Sequence, residues 1–184
     1  MKDRIRVCLT IALCLAGACR FLPGHSEPED ELSAKAELHD ASGQTIGTVR
    51  LREGQAGGGV TIDGEFEHLS PGEHGIHLHT VGRCDAPAFT TAGGHFNPTS
   101  AKHGLSAPDG PHAGDLAALT ADQDGRAKYS QIDPRVTLAA GASNSLFDAD
   151  GTAIVVHAAA DDQRTDPSGN SGARVACGVV VKKQ

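Results

Sequence analysis

Six histidines and one aspartate recur along this chain at spacings that suit metal binding, so the fold must bring residues from distant parts of the sequence together. Imidazole is the ligand that copper and zinc share, whereas magnesium and calcium sites call for a surplus of carboxylate and carbonyl oxygens. The pattern therefore favours a transition metal. The candidate ligands are His77, His79, His95, His103, His112, Asp115 and His157.

The first two candidates lie in a segment that predicts a strand, since residues 75–79 read Gly-Ile-His-Leu-His. Alternate strand residues point to the same face, so His77 and His79 can reach one ion while Ile76 and Leu78 enter the core. His157 closes a short apolar run, and the other candidates lie in a Gly- and Pro-rich stretch that predicts a loop.

Seven ligands are one short of two four-coordinate sites, so one ligand would have to serve both ions. Among these side chains, only a deprotonated imidazole can bind a metal through each of its ring nitrogens. The middle position of His95 makes it the candidate bridge. The remaining histidines, His25, His39, His68 and His74, are expected to be surface, packing or hydrogen-bonding residues.

The fold is expected to be all-β, because glycines and short Val/Ile/Leu stretches abound and no long helical period occurs. Eight short strands imply a closed barrel or a two-sheet sandwich of the immunoglobulin-like kind. The connections 81–114 and 158–172 exceed the usual loop length, which is typical of functional loops. The predicted strands are 34–39, 44–53, 59–68, 75–80, 115–120, 126–130, 152–157 and 173–181.

The N-terminus predicts export. Three cationic residues precede an apolar run, 7–18, that is too short to span a membrane and is typical of a secretory signal. Two interpretations of its end stay open: cleavage after Ala18, or a bacterial lipoprotein signal in which Cys19 takes the lipid. We therefore expect a signal peptide at 1–18, a flexible tether at 19–33 and one domain at 34–184, in the periplasm or cell envelope.

The cysteine count fits export. Three of the five cysteines, Cys8, Cys14 and Cys19, belong to the signal region, which leaves Cys84 and Cys177 for the domain. These two can pair, or they can be independent buried thiols. The chain is also acidic, with a formal net charge of -7, and it lacks a basic stripe interleaved with aromatics. We expect no nucleic-acid partner, and membrane contact only through a lipid at Cys19. The choice between monomer and homodimer stays open.

The chain resembles the copper/zinc superoxide dismutases in a series of motifs that runs from about residue 34 to 181. The motifs are His-x-His at 77–79, Gly-Gly-His-Phe-Asn-Pro at 93–98, His103, Gly-Pro-His-x-Gly-Asp at 110–115 and Val-Val-His at 155–157. The resemblance implies a Greek-key barrel with two long loops over one copper and one zinc ion. It assigns copper to His77, His79, His95 and His157, and zinc to His95, His103, His112 and Asp115.

The resemblance also implies an activity. Superoxide would be converted to dioxygen and hydrogen peroxide by alternate reduction and oxidation of copper, with His95 as bridge and general acid, as an antioxidant defence of the cell envelope. Arg174 would hold an anion beside copper, Asp161 would link His77 to His103 through hydrogen bonds, and Cys84 would pair with Cys177. The alternative is a non-enzymatic periplasmic copper/zinc buffer, which has no need of Arg174.

Overall fold

The structure is a computed structural model, and it describes residues 32–183. Within that range the chain forms ten β-strands and two short 3-10 helices, Gln55–Gly57 and Thr90–Ala92, and no α-helix. No helix of the described part is long and apolar enough to cross a membrane. The strands are β1 (Ser33–Asp40), β2 (Thr45–Glu53), β3 (Val60–Phe66), β4 (Gly72–His74), β5 (Ile76–His79), β6 (Leu119–Ala121), β7 (Ala127–Asp133), β8 (Ala153–His157), β9 (Arg174–Val179) and β10 (Val181–Lys182).

Eight strands form one antiparallel sheet in the order β5-β8-β9-β1-β2-β3-β7, with β10 beside β1. The other two strands, β4 and β6, pair with each other. Because β4 runs directly into β5 at one edge and β6 is joined by a tight turn to β7 at the other, this pair connects the two edges. The predicted all-β Greek-key barrel is confirmed.

Alternation of apolar and polar residues explains which face of each strand is buried. In β1, Ala34, Ala36 and Leu38 are buried while Lys35 and Glu37 are exposed. Burying one such leucine removes its side chain from water and stabilises the fold by about 2 kcal/mol. Strand β8 is buried on both faces, because one face lines the barrel and the other lies under a long loop.

Aspartate and glycine residues stabilise the tight turns between strands. In the β1–β2 turn the Asp40 carboxylate accepts hydrogen bonds from the Ser42 and Gln44 amides at 2.8 and 3.0 Å. Gly43 has φ 85°, a left-handed conformation that favours glycine. The β6–β7 turn repeats this arrangement with Asp122 and Gly125.

Three features differ from the sequence-based prediction. The predicted strand 115–120 is wrong in extent, since only residues 119–121 are a strand and Asp115 makes one isolated bridge to His77. The predicted strand 75–80 is preceded by the additional strand β4. The predicted strand 173–181 occurs as two strands, β9 and β10, while the irregular connection 134–152 agrees with the gap left between the predicted strands 126–130 and 152–157. The two long loops that were predicted occur as residues 80–118 and 158–173.

The first strand, β1, begins at Ser33, and the domain boundaries stay a prediction. The signal at 1–18, most of the tether and Cys19 lie outside the described residues.

Candidate metal centre

Strand β5 supplies the first two histidines of the centre. His77 and His79 lie on the face opposite Ile76 and Leu78, and all four side chains are buried. His157 lies at the end of β8, the antiparallel neighbour of β5. The three histidines therefore come from two adjacent strands, which hold them at one end of the barrel sheet.

The long loop 80–118 returns to β5 twice and brings ligands with it. Near His95, the Phe96 amide donates to the Leu78 carbonyl at 2.8 Å. Near Asp115, the Leu78 amide donates to the Gly114 carbonyl at 2.9 Å. The isolated bridges His79 to His95 and His77 to Asp115 mark the same approach. Backbone hydrogen bonds to β5 thus place the loop ligands.

One group of converging nitrogens comes from His77, His79, His95 and His157, whose candidate ligand atoms lie within 4.8 Å of one another. In each residue one ring nitrogen is buried and has no hydrogen-bond partner among the described residues. A transition metal would satisfy all four, so the donor set fits copper. The four nitrogens are Nδ1 of His77 and Nε2 of His79, His95 and His157.

The opposite nitrogen of three of these rings is held in place. Nε2 of His77 donates to Asp161 Oδ2 at 2.6 Å. Nδ1 of His79 donates to the Gly93 carbonyl at 3.0 Å, and Nδ1 of His157 to the Gly172 carbonyl at 3.2 Å. Such partners set the tautomer and the ring orientation of a metal-binding histidine.

A second group surrounds one oxygen of Asp115. Its Oδ1 lies 2.9, 3.0 and 3.2 Å from the Nδ1 atoms of His95, His103 and His112. Its Oδ2 accepts hydrogen bonds from the backbone amides of Gly104 at 2.8 Å and His112 at 2.9 Å. Three imidazoles and one carboxylate form a closed four-donor set of the kind that structural zinc takes.

His95 belongs to both groups. Its Nε2 faces the other histidines of the first group, and its Nδ1 faces Asp115 in the second. The ring also stacks on His77, with ring centroids 3.9 Å apart. Both nitrogens of this one ring are therefore directed at ligand groups.

Asp161 lies between the two groups. Its Oδ2 accepts from His77 and its Oδ1 accepts from Nε2 of His103 at 2.9 Å. The structure brings Asp161 rather than the neighbouring Asp162 to the histidines, since Asp162 is exposed and bonds to Thr165. A single carboxylate thus connects one ring of each group.

Protonation differs across the centre. Burial lowers the pKa of His77 to about 4 and that of His157 to about 3. It also holds the pKa of His79 well below the ordinary value. At neutral pH these rings are uncharged and offer lone pairs to a metal.

In the second group His103 shifts in the opposite direction, whereas burial lowers the pKa of His112. Burial opposes a charge on His103, but hydrogen bonds with Asp115 and Asp161 outweigh it and raise the pKa of His103 to about 9. For both carboxyls burial acts to raise the pKa, and hydrogen bonds from His103 and other groups outweigh it and lower the pKa below the ordinary value. Both acids are ionised at neutral pH.

Arg174 lies at the start of β9, next to the first group. Its Nη1 donates to the Phe89 carbonyl and its Nη2 to the Gly93 carbonyl, each at 2.6 Å. The Gly93 carbonyl also accepts from His79. One loop carbonyl therefore orients both a candidate copper ligand and the guanidinium that stands beside it.

Cys84 and Cys177 form a disulfide with an S–S distance of 2.01 Å and Cα atoms 5.6 Å apart, so the expected pairing is confirmed. Cys177 packs with Phe89, Ala92, Ala153 and Val155 in a small apolar cluster, against which the partly buried Cys84 packs. The bridge ties the long loop to β9, three residues beyond Arg174.

Sequence reasoning did not identify Gly169 or Phe89, which also shape the centre. Gly169 has φ 62°, and a Cβ at this position would clash with Asp161 Oδ1. Phe89 has φ 53°, and its carbonyl accepts from Arg174. In the sequence Gly169 can be recognised only as a glycine within a turn, and no local signal identifies Phe89.

The other histidines lie outside the two groups. His74 is buried, and its nitrogens face the carbonyls of His157 at 2.7 Å and Ser70 at 2.8 Å, so it is a hydrogen-bonding residue. His39 is half-buried and His68 is exposed. His25 is outside the described residues.

Known proteins resemble the chain over most of its length. The family profile described as copper/zinc superoxide dismutase (SODC) matches residues 45–180. The chain is 45% identical over 151 residues to Cu-Zn superoxide dismutase 1 of Aquifex aeolicus, which covers 82% of this chain and 88% of that protein. It is 43% identical over 150 residues to the Cu-Zn superoxide dismutase of Caulobacter vibrioides, covering 80% and 85%. A crystal structure of a SOD-like protein from Bacillus subtilis is similar at TM-score 0.76 and 37% identity, covering 80% and 97%.

Proposed function

The chain belongs to the copper/zinc superoxide dismutase family, and from that premise we propose how its residues carry out the reaction. It is an oxidoreductase that converts superoxide to dioxygen and hydrogen peroxide with copper and zinc as cofactors. The observation that carries the residue assignment is the single ring of His95, which takes part in both four-donor groups. A protein that only stored two metals would have no need to join their sites.

The two groups would bind different metals, which have different roles. His77, His79, His95 and His157 would hold copper, and His95, His103, His112 and Asp115 would hold zinc. Copper supplies a one-electron redox couple, while zinc keeps one redox state and supplies charge and fixed geometry. Asp161 accepts a hydrogen bond from one ring of each group, His77 and His103, and so fixes the orientation of both rings.

His95 is the proposed proton donor. Forming hydrogen peroxide from superoxide consumes one electron and two protons, of which one can come from the buried Nε2 of His95 and the other from solvent water. When that nitrogen is free to take a proton, it can donate it to the reduced substrate as a general acid. Its Nδ1 faces Asp115 in the second group, so zinc bound there would keep the ring in place during the transfer.

Arg174 is the proposed anion-binding residue. The formal net charge of the chain is -7 and falls to -9 when residues 1–18, with three cations and one carboxylate, are removed. Attraction of superoxide must then come from a local positive field, since charges beyond about 8 Å are screened in physiological salt. The Phe89 and Gly93 carbonyls hold the guanidinium where it can supply that field.

We also propose that the protein works outside the cytoplasm, in the periplasm or cell envelope. Support comes from the cationic and apolar order of residues 1–18 and from a disulfide-bonded domain. Lipidation of Cys19 and a tether up to residue 33 complete this proposal. Mass measurement of the mature N-terminus distinguishes a diacylated Cys19 from cleavage with an unmodified end.

The experiment that tests the function combines metal analysis of the purified mature protein with a superoxide-consumption assay. We expect copper and zinc in equal amounts and rapid turnover. Arg174→Ala should lower the rate about tenfold and reduce its dependence on ionic strength, because the local attraction is lost. Arg164→Ala is the matched control, since it removes the same charge from an exposed position of the loop 158–173. Both metals bound without turnover would support the buffer instead.

A further inference from the structure

The segment 115–117 begins with the proposed zinc ligand Asp115 and lies outside any regular strand. Side chains from other elements hold its backbone in place of a β-ladder. The contacts are Arg135 Nη2 to the Asp115 carbonyl at 2.6 Å, Gln163 Nε2 to the Leu116 carbonyl at 3.1 Å, the Ala117 amide to Gln131 Oε1 at 2.8 Å, and the Tyr129 hydroxyl to the Ala117 carbonyl at 3.1 Å.

Arg135 is the member of this set that contacts the ligand residue itself, and its side chain is fixed by Asp133. Asp133 ends β7 and is fully buried, at 0% exposure. Its Oδ1 accepts from the backbone amide of Arg135 at 3.0 Å and from Nε at 2.9 Å. With Nε held in this way, the planar guanidinium directs Nη2 at the Asp115 carbonyl.

The carbonyl contact completes the set of bonds around Asp115. Oδ2 is held by the amides of Gly104 and His112, and Oδ1 faces the three histidines. Rotation of the peptide plane after Asp115 would swing the whole residue. The hydrogen bond from Arg135 opposes that rotation, together with the backbone bridge from Asp115 to His77.

The charge of the pair also suits a cation site. A lone guanidinium bonded to the carbonyl of a zinc ligand would repel the incoming ion. The carboxylate of Asp133 neutralises that positive charge. Burial raises the pKa of Asp133 against the opposing hydrogen bonds from Arg135, so the charged carboxylate depends on its partner. The two residues therefore act as one neutral unit.

We propose that Asp133 and Arg135 form a positioning pair that orients Asp115 and thereby raises the affinity of the zinc site. This inference rests on the proposed assignment of zinc to His95, His103, His112 and Asp115. Neither residue of the pair touches substrate or metal, so its effect reaches the reaction only through the orientation of Asp115.

The test measures the Zn²⁺ affinity of the mature protein by competition with a chromophoric chelator, together with the visible absorption of Co²⁺ in the zinc site. Arg135→Lys keeps the positive charge beside Asp133 but loses the fork that reaches both partners. We expect the dissociation constant for Zn²⁺ to rise about tenfold, as for other partners of metal ligands, with an altered Co²⁺ spectrum. The matched control is Arg52→Lys, because Arg52 bonds to Asp63 at 2.6 Å away from the centre.

A second variant, Asp133→Asn, leaves Arg135 in place without its counter-charge, and it should weaken Zn²⁺ binding in the same direction. Unchanged Zn²⁺ affinity in both variants, even with a lower unfolding midpoint of the metal-free protein, would overturn the inference and leave the pair a purely structural role. A wild-type protein that binds neither Zn²⁺ nor Co²⁺ would instead refute the zinc assignment itself.

Discussion

At the scale of single residues, His95 differs from the other histidines of the centre because each of its nitrogens faces a different group of ligands. His77 and His103 each direct one nitrogen to Asp161, and His79 and His157 each direct one to a backbone carbonyl. A histidine with such an outer partner serves one ion. His95 has no outer partner of that kind, which suits it to serve two.

Replacement of His95 tests this role. His95→Ala should lower superoxide turnover about 100-fold or more, because both a ligand and the general acid are lost, while some zinc remains on His103, His112 and Asp115. Turnover and metal content are measured together, with His39→Ala as a control histidine near the surface. Full copper content with unchanged turnover in His95→Ala would disprove the bridge.

Replacement of Asp161 tests the connection between the groups. An asparagine offers one oxygen, so it can accept from His77 or from His103 but not from both, and its amide group would face the other N–H. Asp161→Asn should weaken binding of each metal about 10- to 100-fold, measured by chelator competition. Asp162→Asn, which contacts Thr165 and Asn170 but no histidine, should retain both metals. Equal losses in the two variants would show that the effect comes from the loop alone.

At the scale of elements, the alternation of residues was a good guide wherever one face of a strand meets the core. Strands β1, β2, β3, β5 and β8 occur within one to two residues of their predicted bounds. The prediction was wrong at 115–118, which lie outside any strand. There the backbone bonds to side chains of Arg135, Gln163 and Gln131, and no local pattern reveals such partners.

The disulfide links the long loop to β9, and the effect of its removal on stability can be measured. Replacing Cys84 and Cys177 with serine should lower the free energy of unfolding of the metal-free protein by about 4 to 5 kcal/mol, since the bridge closes 93 residues. Denaturant unfolding gives this difference, and the reduced wild-type protein should match the variant. Activity should also fall, because Phe89 packs in the cluster around Cys177 and holds Arg174. An unfolding midpoint equal to that of the oxidised wild type would contradict this role.

At the scale of the whole molecule, the two long loops meet over the open end of the barrel. His103 from one loop reaches Asp161 of the other, and its backbone amide donates to Asp166 at 3.0 Å. Gln163 adds a hydrogen bond from the Leu105 amide at 3.1 Å. Because the ligands come from both strands and loops, the folding of the barrel and the assembly of the metal centre are coupled.

This coupling predicts how the stability of the metal-free protein depends on pH. The folded pKa values of His77 and His157, about 4 and about 3, lie below the ordinary 6.5, so the unfolded chain binds more protons as pH falls from 6.5. Stability is then lost progressively on the acid side. The pKa of His103, raised to about 9, contributes stability that is present below 6.5 and lost as pH rises through 9.

We therefore expect maximal stability of the metal-free protein near pH 6 to 7, measured as denaturant midpoints across the pH range. The metal-loaded protein should retain its midpoint to lower pH, since bound imidazoles cannot take protons until the metal leaves. A metal-free midpoint that stays constant or rises below pH 5 would be incompatible with buried, uncharged His77 and His157.

The sequence by itself determined the class of fold, the seven candidate ligands, the pair of cysteines and the two long loops. These depend on residue type, on strand period and on spacing along the chain, which are local properties. Only the tertiary structure decided which nitrogen of each ring faces which group, and that Phe89, Gly169 and Arg135 support the centre. Those choices depend on contacts between residues that are distant in sequence, and such contacts exist only once the barrel has closed and both loops have folded over its end.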